Sequence, residues 1–133
     1  MNSIRSELKG VRILLVEDNA FNALVAKEEL EDTIENITLV IAENGVKAIE
    51  QIKHCTFDIV LMDVQMPVMN GYDATKVIRK MNDEKSTIPI IAMTANVFKE
   101  AVDQYDAAGM NDFIGKPFDT ETLIQKIYLL TKT

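Results

Sequence analysis

The sequence predicts an α/β domain built on a single doubly wound, five-stranded parallel sheet in the order 2-1-3-4-5. Three observations lead there. Five short apolar runs alternate with five stretches of helical spacing, which is one β-α unit repeated five times. Two of the runs, Ile13 to Val16 and Ile59 to Met62, are continuously apolar rather than alternating, as parallel strands covered on both faces should be. No Gly/Ser/Pro-rich linker, repeat or low-complexity stretch breaks the series. Right-handed crossovers then leave few topologies, of which the doubly wound sheet is the simplest.

The first strand is expected from Arg12 to Val16. The helix after it runs from about Asn19 to Glu31, with Phe21, Leu24 and Val25 as the apolar positions of a loosely patterned segment. A second strand covers Thr38 to Ala42, and Asn44 then caps a helix whose stripe is Val46, Ile49 and Ile52. The third strand is Ile59 to Met62. Asn70, with Asp73 three residues on, resembles a capping box ahead of Val77 and Ile78. Pro89 opens a fourth strand that ends at Met93, a position where a missing N–H is tolerated. Ala101, Val102, Tyr105 and Ala108 share one helical face, and Gly109 stops that helix. Phe113 and Ile114 form the last strand, and Asp119 caps a final helix with Leu123, Ile124, Ile127 and Tyr128 inward.

At 133 residues, 47% apolar and 26% charged, the chain has the size and balance of one soluble globular domain. Residues 1–8 read as an N-terminal extension and 9–133 as the domain. Fourteen basic against 21 acidic residues leave a net charge of −7, and there is no basic run, so direct nucleic-acid binding is not expected. No apolar stretch approaches the roughly 20 residues of a membrane span, and the N-terminus lacks the apolar core of a signal peptide, so neither membrane insertion nor export is expected. A cytoplasmic setting fits the single cysteine, Cys55, which cannot form an internal disulfide. The sequon Asn36-Ile37-Thr38 has no meaning in that compartment.

The chemistry lies where the strands end. Arg12-Ile13-Leu14-Leu15-Val16 runs straight into Glu17 and Asp18, Ile59-Val60-Leu61-Met62 into Asp63, and Asp112-Phe113-Ile114-Gly115 into Lys116. In open α/β sheets, ligand sites form at the carboxyl ends of the strands. Glu17, Asp18 and Asp63 are the hard oxygen donors that Mg²⁺ takes together with a phosphate. A carboxylate beside such an ion can act as a nucleophile toward phosphorus, and Asp63 is the best placed. Lys116 would then pair with one phosphoryl oxygen, and Thr94, ending its apolar run, would donate to another. Each of these residues alone has an ordinary reading as a turn former, a cap or a surface charge. Their joint occurrence at successive strand ends does not.

Other candidates carry less. His54 beside Cys55 lacks the second ligand pair of a metal site and reads as a surface histidine, with Cys55 packing as a small apolar side chain. The methionines at 62, 66, 69, 81, 93 and 110 read as core or loop packing. No Gly-rich nucleotide-binding motif follows the first strand.

At Leu14-Leu15-Val16-Glu17-Asp18-Asn19, Leu61-Met62-Asp63-Val64-Gln65-Met66-Pro67, Met93-Thr94-Ala95 and Gly115-Lys116-Pro117-Phe118 the chain closely resembles the receiver domain of two-component response regulators, over about Lys9 to Leu130. The resemblance implies the (βα)5 flavodoxin-like fold. It makes Asp63 the phosphoacceptor, with Glu17, Asp18, Asp63 and the Gln65 backbone carbonyl as Mg²⁺ ligands. It also implies that Thr94 and Lys116 contact the phosphoryl group, that Thr94 and Phe113 form the switch pair, and that a cis peptide precedes Pro117. Phe113 stands where many members have tyrosine, and it has no hydroxyl to offer. The wording of Glu17 to Asn22, Thr94 to Val97 and Ala107 to Pro117 is most similar to receivers of hybrid sensor histidine kinases. That implies a histidine kinase domain as donor and a histidine phosphotransfer domain as acceptor, meeting the first helix and the loops around Asp63. In this reading the chain is catalytic only toward its own phosphorylation and dephosphorylation, and is either freestanding or the cytoplasmic part of a membrane-bound kinase. A phosphorylation-independent interaction module and a Mg²⁺-dependent aspartyl-phosphate phosphatase are the alternatives. Gln65, where such phosphatases commonly carry a second acid, disfavours the latter.

Overall fold

Side-chain alternation on the central strands divides the molecule into two cores. In the computed structural model, which describes residues 2–64, 68–95 and 99–132, five parallel strands form one sheet in the order β2-β1-β3-β4-β5. These are β1 (Arg12–Val16), β2 (Thr38–Ala42), β3 (Ile59–Asp63), β4 (Ile90–Thr94) and β5 (Asp112–Gly115). Leu14, Val16, Val60, Met62, Ile90 and Ala92 point to one face; Ile13, Leu15, Ile59, Leu61, Ile91 and Met93 point to the other. Both sets are buried, which is why the central strands carry no polar alternation.

Three helices cover the first face: α3 (Gly45–His54), α4 (Gly71–Arg79) and α5 (Lys99–Ala108), through Ile49 and Ile52, Ala74 and Ile78, and Ala101 and Tyr105 respectively. The second face is covered by α2 (Ala20–Thr33) and α6 (Thr120–Thr131), the latter through Leu123, Ile124 and Ile127. Among the described residues, four helices begin with a side-chain cap onto the N–H three residues on: Asn19 to Asn22, Asn44 to Lys47, Asn70 to Asp73 and Asp119 to Thr122, at 2.9–3.0 Å. Each such cap is worth about 1 kcal/mol. Gly109, at φ 102°, ends α5 in a conformation that a residue with a Cβ adopts at a cost. Pro89 lies just before β4, where its carbonyl accepts from Val60 N–H at 2.9 Å.

The structure corrects three readings of the sequence. Helix α2 turns Ala23, Ala26 and Leu30 to the sheet, while Phe21, Leu24 and Val25 are exposed, Phe21 by 66%. Apolar residues occur on several sides of this helix, so spacing alone does not choose a face, and two alanines let the helix lie close to the sheet. Cys55 is exposed rather than packed: it is the C-cap of α3, its N–H donating to the Gln51 carbonyl at 2.8 Å. Val46 and Val77 likewise sit at the rim of their stripes and are exposed. Two further elements appear that periodicity does not show. One is a 3₁₀ turn at Glu84–Thr87, capped by Asp83. The other is an N-terminal helix, α1 (Asn2–Glu7), which packs on α6 through an Arg5–Glu121 ion pair and leads to the fully buried Leu8.

Candidate phosphoryl-transfer site

Parallel strands all point their carboxyl ends the same way, so residues distant in sequence converge at one rim. Glu17 follows β1, Asp63 and Thr94 end β3 and β4, and Lys116 follows β5. Backbone bonds across the rim hold them: Glu17 N–H donates to the Ala42 carbonyl at 3.0 Å, and Lys116 N–H to the Thr94 carbonyl at 2.8 Å. Glu17, Asp63 and Thr94 are only 3–5% exposed, whereas Asp18 faces solvent. Together with Lys116 they line a cleft of about 260 Å³.

The Lys116 ammonium bridges the two buried carboxylates, donating to Glu17 Oε1 at 2.8 Å and Asp63 Oδ2 at 3.0 Å. The second oxygen of Glu17 accepts from Asn19 N–H at 3.2 Å, which ties the carboxylate to the start of α2. Burial opposes the charge on Lys116, but hydrogen bonds and Coulomb attraction from Glu17 and Asp63 prevail and hold its ammonium above the usual lysine range. Glu17, Asp18 and Asp63 each place a carboxylate oxygen within 4.8 Å of the others. Among the described residues, three carboxylates gather around one ammonium, and such a set of hard oxygen donors fits a small divalent cation. The Gln65 carbonyl lies outside the described residues.

Gly71 sets how closely α4 approaches this rim. A Cβ there would lie 2.5 Å from the Asp63 carbonyl oxygen and 2.9 Å from Val64 Cα, so no other residue fits without moving backbone next to Asp63. Gly71 N–H donates to the Val64 carbonyl at 3.2 Å and closes the contact.

The structure adds a residue that sequence reasoning missed. Thr94 Oγ1 accepts from the Tyr105 hydroxyl at 2.7 Å. Phe113 is half-buried, its ring tilted 38° to that of Tyr105 at 6.0 Å, with the Lys126 ammonium 5.6 Å from its centroid. The available signal was the place of Tyr105 on the buried face of its helix, since a buried phenol needs a hydrogen-bond partner. The Lys116–Pro117 peptide bond is cis.

Beside the cleft, and sharing Glu17 and Lys116 with it, lies a larger hollow of about 500 Å³ walled by Phe21, Val25, Pro117 and Phe118. His54 is exposed at the end of α3. Among the described residues no helix is long and apolar enough to cross a membrane.

Comparison with known proteins follows the same lines. The response regulator receiver domain model matches residues 13–128. A probable histidine kinase 1 of Oryza sativa subsp. indica is 37% identical over 142 aligned positions, covering 84% of this chain, which spans only 14% of that relative's length. The receiver domain of the sensor histidine kinase PA1611 from Pseudomonas aeruginosa PAO1, solved with a magnesium ion coordinated in its active-site cleft, is 33% identical. It superposes with a TM-score of 0.84, covering 93% of this chain and 99% of its own. A chain of the co-crystal structure of the Saccharomyces cerevisiae phosphotransfer protein Ypd1 with the receiver domain of Ssk1 is 26% identical. It also has a TM-score of 0.84, over 93% of this chain and 90% of that one.

Proposed function

Because the chain belongs to the response regulator receiver family of two-component signalling, we propose that it accepts a phosphoryl group on Asp63 from a phosphohistidine. The observation that carries this reading is the convergence of three carboxylates and one ammonium at the strand ends, with Lys116 bonded to both Glu17 and Asp63. An Asp63 carboxylate oxygen attacks phosphorus, the P–N bond to the donor imidazole breaks, and its electron pair returns to the ring nitrogen, which takes a proton. The product is an acyl phosphate on Asp63. Lys116 exchanges a carboxylate contact for a phosphoryl oxygen, and Thr94 donates its hydroxyl to another. Glu17, Asp18 and Asp63, with the Gln65 carbonyl, would hold Mg²⁺. When bound, the ion supplies charge neutralisation for the phosphoryl oxygens.

The partner is a histidine kinase domain or a histidine phosphotransfer domain, and phosphorylation either switches the receiver's surface or is passed onward. The exposed Phe21, Leu24 and Val25 on α2 offer it an apolar patch beside the cleft, and the hollow at Phe118 extends that patch. The solved complex with Ypd1 is the precedent among similar folds. Residues 9–133 would form the receiver and 1–8 an extension, within which α1 packs on α6. Hybrid-kinase origin is supported by the kinase relative, and a cytoplasmic setting by the exposed free thiol of Cys55.

Intact-mass measurement after incubation with acetyl phosphate tests the reading. One added phosphoryl group is expected with Mg²⁺, much less in EDTA, and none for Asp63→Asn. Equal labelling of the variant would refute it.

A further inference from the structure

Tyr105 is 2% exposed, so its hydroxyl is satisfied within the protein, and it donates to Thr94 Oγ1 at 2.7 Å. Thr94 lines the acidic cleft on one side and meets α5 on the other, so one hydroxyl oxygen stands between the candidate phosphorylation site and that helix. The Tyr105 ring stacks on Tyr72 of α4 at 5.7 Å with 21° between planes. Tyr72 is partly exposed, and its hydroxyl reaches Gln104 Oε1 on the surface of α5 at 3.4 Å. Burial first, and then the neighbouring Tyr105 phenol, push the Tyr72 phenol above its usual range, so the two rings share one environment.

Resting on the reading of Thr94 as a phosphoryl contact, we propose that Tyr105 is a positioning residue that sets the Thr94 hydroxyl and carries the state of the cleft, through Tyr72, to the α4–α5 surface. A hydroxyl has one proton to give and two lone pairs to offer. With Tyr105 donating into one lone pair, the Thr94 proton is directed elsewhere, and a phosphoryl oxygen accepts it. A bond to an anion is roughly twice as strong as one between neutral groups, so Thr94 follows the phosphoryl group and the Tyr105 bond yields. The buried phenol then follows its acceptor or turns from it, and the stacked Tyr72 ring registers either movement. Phe113 contributes its ring to this packing and no hydrogen bond. The hydrogen-bonded path from Thr94 therefore runs through a side chain of α5, with Phe113 of the last strand packed against it.

The chain has three tyrosines, Tyr72, Tyr105 and Tyr128, so uniform fluorotyrosine labelling gives fluorine NMR signals assignable by single Tyr→Phe changes. Tyr128 packs on the opposite face of the sheet and serves as the internal control. On phosphorylation with acetyl phosphate and Mg²⁺, the Tyr105 and Tyr72 signals should shift and Tyr128 should not. Tyr105→Phe keeps the ring and should still be labelled on Asp63 by mass, but the Tyr72 shift should be lost. Thr94→Ser should preserve the Tyr72 shift and Thr94→Val abolish it, a pair that reads the same bond should Tyr105→Phe fail to fold. A native-sized Tyr72 shift in Tyr105→Phe, or a stationary Tyr105 signal in labelled native protein, would overturn the coupling while leaving the phosphoacceptor reading intact. An unlabelled native chain would refute that reading and the coupling with it.

Discussion

Replacing Lys116 by Met removes the ammonium that bridges two buried carboxylates and keeps most of the side chain's apolar length. Contacts of 2.8 and 3.0 Å to Glu17 and Asp63 are lost together. Removing one member of a buried ion pair costs about 3–5 kcal/mol, but the lysine side chain is 28% exposed and solvent screens part of its charge, so a loss of about 2 kcal/mol is expected. In urea unfolding followed by circular dichroism in EDTA, that is a fall of about 1 M in the midpoint. Mg²⁺ should then restore stability, because a ligand held at about 100 times its Kd contributes about 2.7 kcal/mol. The variant should gain more from Mg²⁺ than the native chain does, since no side-chain cation competes for the same carboxylates. Equal midpoints for both proteins in EDTA, or an equal Mg²⁺ gain, would refute the claim that Lys116 acts as the counter-charge of this site.

Gly71→Ala should destabilise the fold by about 1–2 kcal/mol, because overpacking against the Asp63 and Val64 backbone, about 1–3 kcal/mol, exceeds the helix-propensity gain of about 0.5–1 kcal/mol. The same variant should take up phosphoryl from acetyl phosphate more slowly, and denaturant titration with a labelling time course measures both. Burial works against the Asp58 carboxylate, yet the Arg12 side chain and N–H hold its pKa below the usual carboxylate value. The pair's stabilisation is therefore complete above the unfolded carboxylate pKa and is lost as pH falls through the lower folded value. The stability gap between native protein and Asp58→Asn should close over that acid range, as unfolding at a series of pH values would show. Phe21→Asp changes an exposed side chain beside the cleft, so it should leave labelling by acetyl phosphate unchanged while slowing transfer from a phosphorylated phosphotransfer domain at least severalfold; equal rates from that donor would place the partner elsewhere.

The central strands were legible because β1, β3 and β4 are sealed on both faces and so carry unbroken apolar runs, and the strand-end rule then drew Glu17, Asp63, Thr94 and Lys116 to one rim. Caps were legible for the same local reason: Asn44, Asn70 and Asp119 each bond an N–H three residues on. What local pattern could not show was which side of an element meets a neighbour. In α2 the larger residues Phe21, Leu24 and Val25 look like core, yet the small Ala23 and Ala26 face the sheet. Helix α1 depends on Arg5 meeting Glu121 at the other end of the chain, a pairing no window contains. The Tyr105–Thr94 bond is of the same kind, joining a helix face to a strand end that only the folded chain brings together.

Phosphoryl transfer to Asp63 would leave an acyl phosphate there, and borohydride reduction reads that directly, since it converts an aspartyl phosphate to homoserine and leaves a free carboxylate untouched. After treatment with acetyl phosphate and Mg²⁺, peptide mapping of the reduced protein should find homoserine at position 63, and omission of either reagent should sharply reduce it. Homoserine at another carboxylate with position 63 unchanged, or none in a chain that carries phosphoryl by mass, would contradict it.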